Sequence, residues 1–255
     1  MSNLFDLSGK TALVTGASSG LGVEFAKALA RQGANIAILA RRVEKLEEAK
    51  KIIEDLGARC FAIKCDVLVQ DDIKAAVAKI KEHYGRIDIL VNNAGAARSN
   101  PAELQSDDDW NAVINTNLNS VYFVARETGK IMIEQRYGKV INLGSIHSNV
   151  AMATSHLNAY CASKGGVLML TKALAVEWAK YNITVNAIAP AYFPSEMTGA
   201  VMSNPEFEKI VKTYCPMGRT GRSGELDGAV VYFASDASSY VTGQILSIDG
   251  GWTAI

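Results

Sequence analysis

"TALVTGASSGLG", residues 11–22, runs from a short strand-like segment straight into a turn that carries Gly16, Gly20 and Gly22. "TALVT" (11–15) is brief and mostly apolar or β-branched, as in a strand buried on both faces. Beyond the glycines, "VEFAKALARQ" (23–32) places its apolar residues at helical period. A glycine-tight turn between strand and helix lets backbone N–H groups and a helix N-terminus approach a pyrophosphate. Ser18 and Ser19 add hydroxyl donors. Glycine trios also serve simply to pack a strand on a helix. Here the place of the trio inside a strand–turn–helix unit points to dinucleotide binding.

The alternation continues along the chain. Strand-like runs "NIAILA" (35–40), "CFAIKC" (60–65), "IDILVN" (87–92), "KVINLG" (139–144), "ITVNAIA" (183–189) and "QILSID" (244–249) bring the total to seven. Between them lie helical patterns at 43–56, 70–84, 107–135 and after Asn158. Short, continuous apolar strands alternating with helices predict a doubly wound α/β fold. We expect a seven-stranded, parallel, Rossmann-like sheet in one domain spanning 1–255. Residues 190–222 are the least regular and hold four of the five prolines. They follow the end of a strand, where ligands of open parallel sheets bind, which makes them a candidate substrate lid. A surface decoration or subunit contact is the other reading of that segment.

Composition narrows the class. Basic and acidic residues balance at 26 each, and no basic run exists, so nucleic-acid binding has no electrostatic footprint. The most apolar stretch, 165–179, is broken by Lys172 and Glu177, which argues against a membrane span. "MSNLFDLSGK" lacks a basic region followed by an apolar one, so a cytoplasmic protein is expected. Cys60, Cys65, Cys161 and Cys215 form no Cys-x-x-Cys pair and have no histidine cluster, so no metal site is expected. Cys60 and Cys65 fall on opposite faces of one strand and read as reduced, buried thiols.

The second strand bears on which dinucleotide binds. An NAD site wants an acid near that strand's end to hold the ribose 2′-hydroxyl. The end reads "ILARRVEK", with Ala40 in the acid's place and Arg41 and Arg42 after it. Two guanidiniums and no carboxylate match a 2′-phosphate, so NADP(H) is expected over NAD(H).

"NAYCASKGGVLML" (158–170) places Tyr160 and Lys164 four apart, on one face of a helix. A free tyrosine has a pKa near 10, and a neighbouring ammonium favours its phenolate. Gly165 and Gly166 each weaken that helix by about 1 kcal/mol relative to alanine. Close approach to a cofactor or to a second subunit would explain them.

Four pieces, "TGASSGLG", "NNAG" (92–95), "INLGS" (141–145) and "YCASK" (160–164), together resemble the single-domain branch of the short-chain dehydrogenase/reductase family. The resemblance spans nearly the whole chain. It implies an oxidoreductase that interconverts a ketone and a secondary alcohol by hydride transfer. In that reading Tyr160 is the acid/base, Ser145 orients the substrate oxygen, Lys164 tunes the tyrosine and holds the nicotinamide ribose, and Asn117 anchors a water-linked proton relay. Gly16, Ser18, Ser19, Gly20, Leu21 and Gly22 would cradle the pyrophosphate. Asp66 and Val67 would meet the adenine, Asn93, Ala94 and Gly95 would line the cofactor, and Pro190 and Thr198 would face the nicotinamide. A homotetramer or homodimer is implied as well.

Within the family, 163–198 is most similar to the gluconate 5-dehydrogenase group, and also resembles 3-oxoacyl-carrier-protein reductases. Two departures touch the substrate. Ala191 replaces the usual glycine after the proline, and the segment from Ser145 to Tyr160 is about two residues longer than the family's. His147 and His156 lie in that pocket-wall segment and read as surface histidines, His147 and Tyr192 being the candidate substrate contacts. No Lys or Arg lies between Lys180 and Lys209, while the lid offers Tyr192, Phe193, Met197, Met202 and Phe207. That favours a bulky neutral ketone, such as a hydroxysteroid's, unless Arg98 supplies a cation for a sugar acid. Packing of the lid onto the core explains the same aromatic residues. Outside enzymes, a catalytically silent dinucleotide-binding regulator is the alternative, against which the set Asn117, Ser145, Tyr160 and Lys164 argues.

Overall fold

The computed structural model describes residues 3–152 and 155–255; Ala153 and Thr154, in the expected pocket wall, lie outside the described residues. In chain order the first half comprises β1 (Thr11–Thr15), α1 (Gly20–Arg31), β2 (Asn35–Ala40), α2 (Val43–Glu54), β3 (Cys60–Lys64), α3 (Gln70–Tyr84) and β4 (Ile89–Asn92). There follow α4 (Asp107–Ile114), α5 (Ser120–Gln135), β5 (Gly138–Leu143), α6 (Asn158–Trp178) and β6 (Ile183–Pro190). The chain ends with α7 (Gly199–Met202), α8 (Pro205–Tyr214), α9 (Asp227–Ala234) and β7 (Ile245–Ile248). The seven strands are parallel, in the order β3-β2-β1-β4-β5-β6-β7. After β3 the chain crosses back to pair β4 with β1, Ala12 opposite Ile89. The carboxyl ends of β1 and β4 therefore flank the topological switch point, where open α/β sheets bind ligands.

The period-2 alternation of the strands divides the core into two layers. Ala12, Val14, Ile36 and Ile38 face α1, α2 and α9, where they meet Phe25, Leu46 and Phe233. Leu13, Ala37, Leu39 and Leu90 face the opposite layer and pack with Ile73 and Ile80 of α3, Val124 of α5 and Trp178 of α6. Each of the larger of these side chains (Val, Leu, Ile and Phe), fully buried, contributes about 1.5–3 kcal/mol. Cys60 lies in the first layer and Cys65 in the second, both reduced, and burial pushes both thiols up to about 12. Among the described residues no helix is long and apolar enough to cross a membrane.

Two expectations need correction. The helix expected over 107–135 is two helices joined by a single wide π turn, Asn115–Asn119. Its hydrophobic pattern is continuous, so the extra residue in the turn leaves no periodicity signal. Residues 190–222, expected to be irregular, contain α7 and α8. Asn204 caps α8 by accepting from the Glu206 N–H at 3.0 Å, and Pro205 takes its first turn. Phe207 and Val211 of α8 then pack with Ile146, Cys215 and Trp252 in a small separate core.

Gly22 is held at closest quarters: a Cβ there would lie 2.5 Å from the Gly16 carbonyl oxygen and 2.8 Å from Ala17 Cα. Gly22→Ala must shift backbone, and should lower the urea unfolding free energy by about 1–3 kcal/mol. Gly199→Ala, with nothing within 4 Å of the added methyl, serves as the neutral control.

Candidate active site

At the switch point lies a cleft of about 570 Å³. Its floor is a clamp between the turn after β1 and the tetrapeptide that ends β4. Thr15 Oγ1 accepts from the N–H groups of Asn93 and Ala94 at 3.0 and 3.1 Å. The Asn93 side chain returns the bond, donating to the carbonyls of Thr15 at 2.9 Å and Gly16 at 3.2 Å. Gly16 sits at φ +64°, where a Cβ would fall 2.8 Å from Ala94 Cα. Only glycine allows the two segments to meet this way.

Of the expected cofactor residues, Gly16, Ser18, Ser19, Gly20 and Leu21 line the cleft, as do Arg41, Arg42, Asp66 and Val67. Asn93, Ala94, Gly95, Pro190 and Thr198 continue the lining, and Ser145, Tyr160 and Lys164 close its other end. Gly22 does not reach the cleft, because it packs behind the turn. The Asp66 carboxylate accepts from the Leu68 N–H at 3.0 Å, which shapes the loop after β3. The donor set suits a phosphorylated dinucleotide. Arg42 Nη2 donates to Ser18 Oγ and Ser19 Oγ at 3.2 and 2.8 Å, beside the glycine turn, and with Ala40 the end of β2 offers no carboxylate for a ribose 2′-hydroxyl.

Asn117 stands behind the cleft wall, fully buried. The π turn points its amide at the loop after "NNAG". Its Nδ2 donates to the Ala96 carbonyl at 2.9 Å and to Ser163 Oγ at 3.1 Å, while its Oδ1 accepts from the Ala96 N–H at 2.8 Å. The side chain thus ties the cofactor loop to α6. Gly166 brings α6 against the same turn: a Cβ there would meet Leu118 Cδ2 at 2.8 Å, whereas Gly165 has room around it. Gly166 thus packs closely within the chain, against the Leu118 side chain, a contact that neither expected reason names.

Ser145 follows β5 and opens a one-turn helix at 146–148; its Oγ accepts from the His147 N–H at 3.2 Å. Lys164 is 4% exposed and donates from Nζ to the Leu143 carbonyl at 2.6 Å. Its Nζ lies 5.6 Å from the centroid of the Tyr160 ring. Burial pushes the ammonium down to about 8 and the Tyr160 hydroxyl upward, with hydrogen bonding to Ser145 acting against the latter. His147 is buried, not on the surface as expected; His156 is exposed. The His147 ring lies edge-on to Tyr160 at 6.0 Å and to Tyr192 at 6.5 Å. Burial lowers its pKa, so the neutral ring donates from Nδ1 to the Val150 carbonyl at 3.1 Å, leaving Nε2 3.5 Å from Tyr192 Oη. His147 and Tyr192 stand beside Tyr160 but do not line the main cleft.

One buried polar chain behind the cleft is not among the expected residues. Asn92 donates to Asn142 Oδ1 at 2.9 Å, and Asn142 donates to Thr171 Oγ1 at 3.0 Å, a buried polar chain from β4 through β5 to α6. The available signal was an asparagine inside each of two apolar strands, since buried amides require partners.

A sequence profile described as Enoyl-(Acyl carrier protein) reductase matches residues 16–253. The chain is 41% identical over 251 residues to the gluconate 5-dehydrogenase of Gluconobacter oxydans, covering 98% of this chain and 97% of that one. The chain belongs to the short-chain dehydrogenase/reductase family. This short-chain dehydrogenase/reductase is also 39% identical to the 5-keto-D-gluconate 5-reductase of Escherichia coli, with 98% of each chain covered. It superposes on the crystal structure of a gluconate 5-dehydrogenase from Burkholderia cenocepacia, in complex with NADP and tartrate. There the TM-score is 0.95 at 38% identity, with 99% of this chain and 98% of that one covered.

The lysine of this short-chain dehydrogenase/reductase gives a pH signature. Its proton is held less tightly in the folded chain (about 8) than in the unfolded one (10.5). Between those values the unfolded state binds more protons, so the Lys164 contribution to stability rises with pH, by on the order of 3 kcal/mol across the window. Urea titrations should show the gap between wild type and Lys164→Met moving in favour of wild type from about pH 7.5 to about pH 10. A gap independent of pH would contradict the burial of a charged lysine.

Proposed function

We propose that this enzyme reduces the keto group of a polyhydroxy acid of the 5-keto-gluconate type with NADPH, and runs the reverse oxidation. The observation that carries the reading is a shared cleft: the hydroxyls of Ser145 and Tyr160 and the Lys164 ammonium open onto the cavity that begins at the glycine turn. A bound nicotinamide supplies or takes up the hydride. The glycine turn, Ser18, Ser19, Arg41 and Arg42 would hold its phosphates, and Thr198 and Pro190 the ring end.

In the reduction, negative charge develops on the substrate oxygen. Ser145 donates a hydrogen bond to that oxygen, and Tyr160 transfers its phenolic proton as the charge forms. Burial alone would make Tyr160 a reluctant donor. The neighbouring Lys164 ammonium favours the phenolate that remains, and below pH 8 it is protonated for that task. Asn117 is a positioning residue that keeps the Ala96 loop and the start of α6 in register.

Three features favour a hydroxylated acid over a bulky ketone. Arg98 lines the cleft, its guanidinium 3.5 Å from Asp109. Tyr192 packs on Phe207 at 4.6 Å and on Trp252 at 5.5 Å, so Tyr192 and Phe207 serve a small core, leaving Phe193 and Met197 as the large apolar lid residues on the cleft. The gluconate 5-dehydrogenase and the 5-keto-D-gluconate 5-reductase relatives are named for gluconate or its 5-keto form. The reading includes a cytoplasmic homotetramer or homodimer, with the exposed apolar Tyr122, Met169 and Val176 of α5 and α6 at a subunit contact. It also takes residues 190–222 as the lid.

With NADPH absorbance as the readout, 5-keto-D-gluconate should be turned over with a higher kcat/KM than a 3-oxoacyl thioester or a ketosteroid. A ketosteroid ranking first would overturn the substrate class. Tyr160→Phe should lower kcat by about a hundredfold or more while leaving the Kd for NADPH unchanged, the loss expected of a missing general acid. Near-full turnover in that variant would reassign the proton donor.

A further inference from the structure

The segment between β6 and α7 carries a glutamate that the proposed reaction leaves unused. The Glu196 carboxylate spans the cleft mouth to Arg42, accepting from Nη2 at 2.9 Å and from Nη1 at 3.3 Å. Arg42 Nη2 is also the donor to Ser18 and Ser19. Arg42, and then Ser19, hold the Glu196 carboxyl below its usual range, with Lys45 adding a more distant positive charge. The carboxylate is delivered by an ordered turn. Ser195 Oγ and Thr198 Oγ1 are 2.8 Å apart, and Thr198 N–H donates to Ser195 Oγ at 3.2 Å. Ser195 packs over the glycine turn, where a Cβ on Gly20 would lie 3.2 Å from its own Cβ.

An internal anion therefore rests on the guanidinium that the NADP(H) reading matches to the 2′-phosphate, with Ser18 and Ser19 beside it. Phosphate and carboxylate would crowd onto one set of donors as like charges. A dinucleotide without that phosphate leaves the Glu196–Arg42 pair intact. We propose that Glu196 is a specificity-determining residue that competes with the 2′-phosphate for Arg42. It thereby holds affinity for NADPH below what the cradle alone would give. The proposal rests on the NADP(H) reading above. It also links cofactor choice to the lid, because a displaced Glu196 frees the turn that carries Met197 and Thr198 along the cleft.

The test is binding, measured on the full-length protein without substrate. Fluorescence titrations give Kd for NADPH and NADH at low ionic strength, and calorimetry with 2′,5′-ADP and 5′-AMP isolates the phosphate from the nicotinamide. Glu196→Gln should tighten NADPH and 2′,5′-ADP by about two- to fivefold, the range of an exposed ion pair, and leave NADH and 5′-AMP unchanged. Arg42→Gln should weaken NADPH selectively, and in that background Glu196→Gln should have no further effect. An unchanged or weakened NADPH affinity in Glu196→Gln, or an equal gain for both dinucleotides, would overturn the proposal. If Arg42→Gln weakens NADPH selectively while Glu196→Gln changes nothing, the cofactor reading stands and the competition alone falls. If Arg42→Gln fails to discriminate between the dinucleotides, both fall together.

Discussion

The molecule is organised around a lysine ammonium held inside protein. Lys164 has lost nearly all contact with water and makes one short bond in return, donating to the carbonyl at the end of β5. A cation so placed opposes folding at neutral pH, and structures retain such groups where chemistry needs them. The strand end that supplies the carbonyl also leads into Ser145, and the helix that supplies the lysine carries Tyr160 one turn earlier. One buried contact thereby fixes three groups relative to one another.

Holding that contact requires the carboxyl ends of three strands to be rigid, and hydrogen bonds between side chains and backbone accomplish this. Thr15 and Asn93 lock β1 to β4, Asn92 and Asn142 lock β4 to β5, and Thr171 brings in α6. Asn117 fastens the loop and the helix from the far side. Each of these polar groups is partnered, and all but the half-buried Asn93 are buried, so loss of one member leaves another unsatisfied. The site is consequently stiff near the reacting end. Toward the mouth, where Arg42 and Glu196 are half-exposed, it is held by solvated contacts.

Much of this was legible in the residues. β1 and β2 fall where their short apolar runs end, because glycine or charge bounds each run. Most cleft-lining positions were readable too, since they sit at strand ends in a sheet whose topology follows from alternation. What stayed hidden has a common cause: contacts between segments distant in sequence. The π turn keeps the hydrophobic period of its neighbours, so Asn115–Asn119 reads as ordinary helix. His147 lies in a polar stretch, and its burial comes from Tyr192, some 45 residues later. Tyr192 reads from the sequence as a ligand contact, but Trp252, near the chain's end, packs against it.

The crossing from β3 back to β4 sets the order in which the protein can be born. β1 finds one neighbour in β2 early, but its other edge waits for Ile89, 77 positions beyond Ala12. During synthesis the glycine turn therefore emerges long before the asparagine that clamps it, and the central strand pair closes only once β4 has left the ribosome. Closing so wide a loop is entropically slow, and until then a hydrophobic strand edge stays exposed. A ribosome-bound fragment ending before Asn93 should thus hold a half-sheet without a nucleotide cradle.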